Sequence, residues 1–223
     1  MKRIVSIFLG IIMAITLLIG SLVFLCQFEY FYEKEFEKLG VIDEAGIEVE
    51  AAEVANVMVE YLEGDLPEFQ IRAKVKGVEQ DLFKEKEQTH MRDIIKLIKI
   101  GNSVTLIGVI IIVIVYGLCI LKKEREILKK GYKTALFTYI LLLLGLSLIA
   151  IVDFDEAFTI FHEFVFKNDL WLLDPSQDIL IMLMPLEFFI DALKFILTMA
   201  TSSILIIGVI TWHILRKINT FTL

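Results

Sequence analysis

Three histidines are the side chains best suited to move protons in this chain of 223 residues. Imidazole titrates near neutral pH without help from its surroundings, so it serves readily as a general acid or base. His90 has acidic neighbours at helical spacing. Glu87 and Asp93 lie three residues to either side, so at least one carboxylate can reach its ring, orient it and stabilise its cation. His162 sits in an aromatic run with Phe158, Val165 and Phe166, a setting that favours a neutral imidazole. His213, beside Arg216, reads as an anchor at a membrane boundary. Candidate nucleophiles are few (Thr89, Thr159, Ser176 and Cys26), and none sits in a Gly-x-Ser-x-Gly turn. The sequence contains no His-Glu-x-x-His, no Walker loop and no dinucleotide fingerprint. Chemistry at these histidines therefore needs a nucleophile from the substrate or from water. The same spacings also suit ordinary histidines at a membrane interface.

The elements that must position them are membrane spans. Hydrophobic residues make up 57% of the chain, and the mean hydropathy of +0.73 exceeds what a soluble domain of this length carries. Four apolar stretches, 4–26, 100–121, 135–152 and 188–215, approach or exceed the roughly 20 residues that cross a bilayer. Lys2 and Arg3 ahead of the first stretch also fit a signal peptide. That stretch is too long, and no small-x-small cleavage site follows it, so it reads as an uncleaved anchor. Charge alternates between the segments. Lys2 and Arg3, the loop 122–134 and the pair Arg216 and Lys217 are basic; 27–93 carries 18 acids against 8 bases, and 153–187 carries 8 acids against Lys167. The positive-inside rule puts both termini and the basic loop in the cytoplasm and the two acidic segments outside. The expected fold is an all-α membrane protein: four transmembrane helices with a mostly helical extracytoplasmic cap. In segments this is 1–26, a cap segment 27–99, 100–121, the basic loop 122–134, 135–152, an outer aromatic segment 153–187, 188–215 and a tail 216–223. Cys26 and Cys119 fall at opposite ends of spans and cannot pair.

Within the first outer segment, 43–63 reads as an amphipathic helix stopped by Gly64, 66–78 as extended, and 81–96 as helix running into the second span. That helix would hold His90 two to three turns above the membrane core. In the second, Phe154, Phe158, Phe161 and Val165 recur at helical steps, as in a helix lying on the membrane surface. Trp171 suits the interface. Asp174-Pro175 makes a turn, and 178–189, broken by Pro185, leads into the fourth span.

These residues resemble a known family. His90-Met91-Arg92-Asp93-Ile94 is similar to the His-Met-x-Asp motif of the lipoprotein intramolecular transacylases. Phe161-His162 through Asn168, Trp171, Leu173-Asp174-Pro175, Asp178, Leu180-Ile181, Pro185 and Phe188-Phe189 look like that family's second outer motif. Val165 and Ile94 depart from the pattern, both by apolar changes. The resemblance covers the whole chain and implies a bacterial plasma-membrane acyltransferase with its site on the extracytoplasmic face. It would take a diacylglyceryl-modified lipoprotein and move the sn-2 acyl chain to the α-amine of the N-terminal cysteine. It implies His162 and His90 as the catalytic pair, one as base and one as acid or donor. Glu87, Arg92, Asp93, Glu163, Trp171, Asp174 and Asp178 are the candidates to support them. The expected partners are the diacylated lipoprotein and membrane lipid, with no nucleic acid, cofactor or metal. Two alternatives from other classes remain: a metal-dependent membrane hydrolase using both histidines as ligands, and a non-catalytic protein that binds a partner through its acidic cap.

Overall fold

The structure, a computed structural model, describes residues 1–220, with the backbone only at 149–151, 219 and 220. In chain order the elements are α1 (Lys2–Cys26), α2 (Glu29–Leu39), α3 (Val41–Ala45), α4 (Ala51–Glu63), β1 (Arg72–Val75), β2 (Val78–Asp81), α5 (Glu85–Leu121), α6 (Arg125–Val152), α7 (Phe154–Val165), α8 (Ile179–Leu183) and α9 (Leu186–Thr220). Helices α1, α5, α6 and α9 are long and apolar enough to cross a membrane. The chain divides into two compact units. Residues 1–22, 101–157 and 196 onward form one, and 23–100 with 158–195 form the other.

The first unit is a bundle of the four long helices. Its interior holds Leu9, Met13, Leu128, Ala135, Ala200 and Ile204. Large apolar side chains such as Phe8, Leu106, Val113, Leu144 and Val209 point outward. Lipid is as apolar as these side chains, so close packing and interhelical hydrogen bonds must hold such a bundle together. Both are present. Gly10 lets α1 press against α6: a Cβ there would lie 2.5 Å from Thr134 Cβ and 2.6 Å from the Gly131 carbonyl oxygen. Tyr139 and Thr201 share a hydroxyl hydrogen bond of 2.6 Å, and Tyr116 and Thr211 one of 2.9 Å.

The second unit departs from the all-α expectation. The helix expected over 43–63 is two helices, because Gly46 takes a left-handed conformation (φ 71°) that ends α3, and α4 starts only at Ala51. The chain between them meets a strand, with the Glu48 N–H donating to the Lys74 carbonyl at 2.9 Å. Of the stretch expected to be extended, 66–78, the part from Arg72 enters an antiparallel hairpin that runs on to Asp81, pairing Arg72 with Asp81 and Val75 with Val78. Lys76 and Gly77, both at positive φ, form its two-residue turn. Residue 81 belongs to this hairpin, so α5 begins at Glu85. Glu87, in the first turn, bonds back to the Lys84 N–H at 2.8 Å, half of a capping box. Pro185, which cannot continue a helix, separates α8 from α9.

Candidate active site

α5 has 37 residues, well beyond the roughly 20 that cross a bilayer. Its charged start, through Lys99, precedes the apolar run that begins at Ile100 and carries His90. His162 stands on α7. The two rings lie 6.1 Å apart, centre to centre. Each is nearly buried, His90 at 6% exposed and His162 at 7%. Phe166, just past the end of α7, touches both: 5.1 Å from His90, edge-on, and 5.5 Å from His162, stacked. Phe158 at 3.9 Å and Trp171 at 4.9 Å pack on His162 as well.

One hydrogen bond fixes the chemistry of His162. Its Nδ1 lies 2.7 Å from the Phe158 carbonyl oxygen. A carbonyl only accepts, so Nδ1 carries the proton and Nε2 of the neutral ring keeps its lone pair. Burial holds the pKa of His162 below the ordinary 6.5, opposed by that carbonyl. His90 is pushed further, to about 4, by burial and then by the charge of His162, with Asp93 opposing and Lys86 adding to the effect. Its Nδ1 is buried without a hydrogen-bond partner among the described residues. Both rings are therefore neutral at pH 7.

Among the described residues no carboxylate bonds to the His90 ring, although Glu87 and Asp93 stand at the expected spacing. Glu87 is fully buried, but its Oε1 accepts from the Leu180 N–H at 2.6 Å and its Oε2 from the Lys84 N–H. Burial raises its pKa against the pull of these two donors. Asp93 accepts from Lys96 at 2.8 Å and from Asn168 at 2.9 Å, which hold its carboxyl below the usual range. Helical spacing brings a carboxylate near the ring, yet an ammonium or an unpaired N–H at a helix start is a stronger attraction than a neutral imidazole.

The other expected residues divide. Trp171 packs on His162. Asp178 accepts from Lys84 Nζ at 2.9 Å and from the Asp174 N–H at 2.8 Å. Burial works against its charge, but these two donors outweigh it and keep its pKa low. Asp174 serves its own turn, accepting from the Ser176 N–H and hydroxyl and from Gln177. Arg92 donates to Thr89 on its own helix. Glu163 is exposed and makes no hydrogen bond or ion pair among the described residues. Two residues outside that set matter more. Lys84 Nζ donates to the Gln177 carbonyl at 2.6 Å besides Asp178, and Lys86 donates to the Leu172 carbonyl. With Glu87 and Asp93 they tie the start of α5 to residues 168–180 at four places. In sequence the run Lys84-Glu85-Lys86-Glu87 looks like a solvated face. No signal in it reveals partners more than eighty residues away.

Comparison with known proteins bears on the family and the fold. The family model described as lipoprotein intramolecular transacylase Lit matches residues 7–189. A structure of the membrane integral lipoprotein intramolecular transacylase Lit from Bacillus cereus is similar over 99% of this chain and 98% of its own, with a TM-score of 0.76 and 21% identity. Two variants of that protein, with one histidine replaced by arginine or by alanine, also have TM-scores of 0.76 at 20% identity, over 94% and 96% of their chains and 99% of this one. At such identities the likeness shows the fold. A search of curated proteins found no match.

Proposed function

Because the chain belongs to the lipoprotein intramolecular transacylase family of acyltransferases, we propose that it moves the sn-2 acyl chain of a diacylglyceryl-cysteine lipoprotein to that lipoprotein's own α-amine. The product is an N-acyl-S-monoacylglyceryl lipoprotein. His162 acts as the base and His90 as the hydrogen-bond donor. The observation that carries this is the pair of buried, neutral imidazoles 6.1 Å apart, one with its free Nε2 set by the Phe158 carbonyl.

The substrate supplies the nucleophile, its own α-amine. The neutral amine attacks the ester carbonyl, forming the C–N bond and an oxyanion. Attack makes the nitrogen strongly acidic, and its proton passes to Nε2 of His162. The C–O bond to glycerol then breaks, and the same proton goes to the departing oxygen. Every proton is accounted for, and the enzyme ends as it began. His90, with a pKa of about 4, cannot be the cationic acid at neutral pH. A neutral imidazole can still donate one N–H to the oxyanion, as a preorganised donor in an apolar site. The two rings are close enough for each to reach one tetrahedral centre through a hydrogen bond of about 3 Å. Tethering both reacting groups in one molecule lowers the entropic barrier.

Trp171 packs on His162 and shields it. Glu87, Asp93 and Asp178 hold the chain around Trp171 to α5. Arg92, Glu163 and Asp174 act at a distance or not at all. The charge pattern puts the second unit outside the plasma membrane, where lipidated cysteines sit, and its acidic surface draws an α-ammonium group. Among the described residues no three His, Cys, Asp or Glu side chains gather as a metal site.

The test is mass spectrometry of a lipoprotein's N-terminal lipopeptide, from cells lacking any other N-acylating enzyme. With this protein present the N-acyl-S-monoacylglyceryl form should appear; without it the diacylglyceryl form should keep a free amine. His162→Ala and His90→Ala should each abolish transfer at normal membrane levels. Full activity in either variant removes that histidine from the mechanism.

A further inference from the structure

A cavity of about 290 Å³ opens between α1 and α6, lined by Arg3, Ser6, Ile7, Lys130, Lys133 and Thr134. All six belong to the first unit. Its size suits one headgroup rather than a whole drug-sized ligand, for which sites run roughly 300–1,000 Å³. Three cations and the Thr134 side chain line it, while the buried Ser6 hydroxyl donates to the Lys2 carbonyl of its own helix at 2.9 Å. Lys2, next to Arg3, is neutralised by Glu124 at 2.7 Å, and Lys130 shares Glu126 at 3.2 Å. Arg3 and Lys133 have no carboxylate partner among the described residues. The close contact at Gly10 holds the two helices together beside the cavity.

Apolar surface follows the cations along both helices. On α1, Arg3 is followed at four-residue steps by the exposed Ile7 and Ile11; on α6, Lys133 is followed by the exposed Phe137 and Leu141. Charge then grease, in register on two neighbouring helices, is the pattern of a phospholipid. We infer that this cavity binds the phosphodiester of an anionic membrane phospholipid, its acyl chains lying along Ile7 and Ile11 and along Phe137 and Leu141. Arginine matches phosphate with a planar fork of donors, and lysine adds a point charge. Basic pockets between transmembrane helices are a recurrent site for such headgroups. The tendency for cations to gather in cytoplasmic loops explains positive charge at this end of the bundle. It does not explain the convergence of Arg3, Lys130 and Lys133 on one cavity between two helices.

The shared chemistry is a phosphate, and free phosphate is the other source. Purified full-length protein in detergent would be offered equal amounts of palmitoyl-oleoyl phosphatidylglycerol and phosphatidylcholine and examined by native mass spectrometry. The wild type should retain phosphatidylglycerol in preference. The double variant Arg3→Gln/Lys133→Gln should lose that retention by about 25-fold, at roughly fivefold per surface cation. Phosphatidylcholine adducts should not change. The control Lys122→Gln/Lys129→Gln removes the same charge outside the cavity and should keep the lipid. Lys133→Gln alone repeats the test if the double variant folds poorly. Equal loss in both double variants would reduce the effect to diffuse charge, and no loss in the first would remove the site. Displacement of the lipid by excess inorganic phosphate would assign the cavity to free phosphate. Each of these three results overturns the proposal and leaves the acyl-transfer reading untouched.

Discussion

A histidine that takes a proton from an attacking amine need not be a strong base. The amine nitrogen becomes far more acidic once it bonds to the carbonyl carbon, so the depressed pKa of His162 suffices. The same depression makes its conjugate acid a better donor to the departing glycerol oxygen. The cost falls on stability. The folded pKa of His90 is about 4 against an ordinary 6.5. As pH falls below 6.5 the unfolded chain takes up a proton that the folded chain refuses, so stability is lost between pH 6.5 and about 4 and is independent of this group above that window. The depression corresponds to about 3 kcal/mol at the acid end. Thermal unfolding of detergent-solubilised protein should show a midpoint that drops through this range, and His90→Gln should flatten the drop. A His90→Gln profile parallel to the wild type would mean that His90 is protonated in the fold. At this scale sequence reading reached the histidines through residue type and side of the membrane. It brought Glu87 and Asp93 to the same place but not to their hydrogen-bond partners, because spacing reports who is near and not which donor competes best.

The elements around the pair are held by a strap, residues 168–180, fastened to the start of α5. Glu87 is its buried fastening. Its two oxygens accept from two backbone N–H groups, one at the start of α5 and one in α8. Glu87→Gln would turn an NH₂ group toward one of those N–H donors. The expected loss is about 1–3 kcal/mol, the penalty for an unpaired buried polar group, seen as a lower unfolding midpoint. Transfer should slow as well, because Trp171 lies on the strap. Asp93→Asn, at an exposed tie, should change stability by less than about 1 kcal/mol. If the two variants behave alike, burial of Glu87 is not what holds the strap. The spans were legible because each long apolar run has one physical explanation. The hairpin was legible only in part: β1 alternates between exposed and buried positions inside the stretch read as extended, whereas β2 is exposed throughout and lacks the alternation that marks a half-buried strand. The start of α4 at Ala51 was not legible either, because the helical spacing of Val54, Val57, Met58, Tyr61 and Leu62 lies wholly inside α4 and does not mark where it begins.

For the molecule as a whole, side decides function. The two units differ in composition as well as in residue range. The loop 122–134 and both chain ends are basic, while 27–93 and 153–187 are acidic. Orientation in a bilayer follows such a bias, and the proposed reaction requires it, because lipidated cysteines are displayed on the outer surface. Thiol labelling of intact cells decides the matter. With Cys26 and Cys119 replaced by alanine, a single cysteine at Val78, a 63% exposed position in β2, should react with a membrane-impermeant maleimide. A single cysteine in place of Lys122, on the basic loop, should react only after lysis. The reverse pattern would put His90 and His162 on the cytoplasmic side, where no exported lipoprotein displays its finished lipid, and the acyl-transfer mechanism would fail on access alone. The expected pattern also sets the conditions for the lipid site: the cations of α1 and α6 then face the anionic cytoplasmic leaflet, and phosphatidylglycerol is the ligand they meet there.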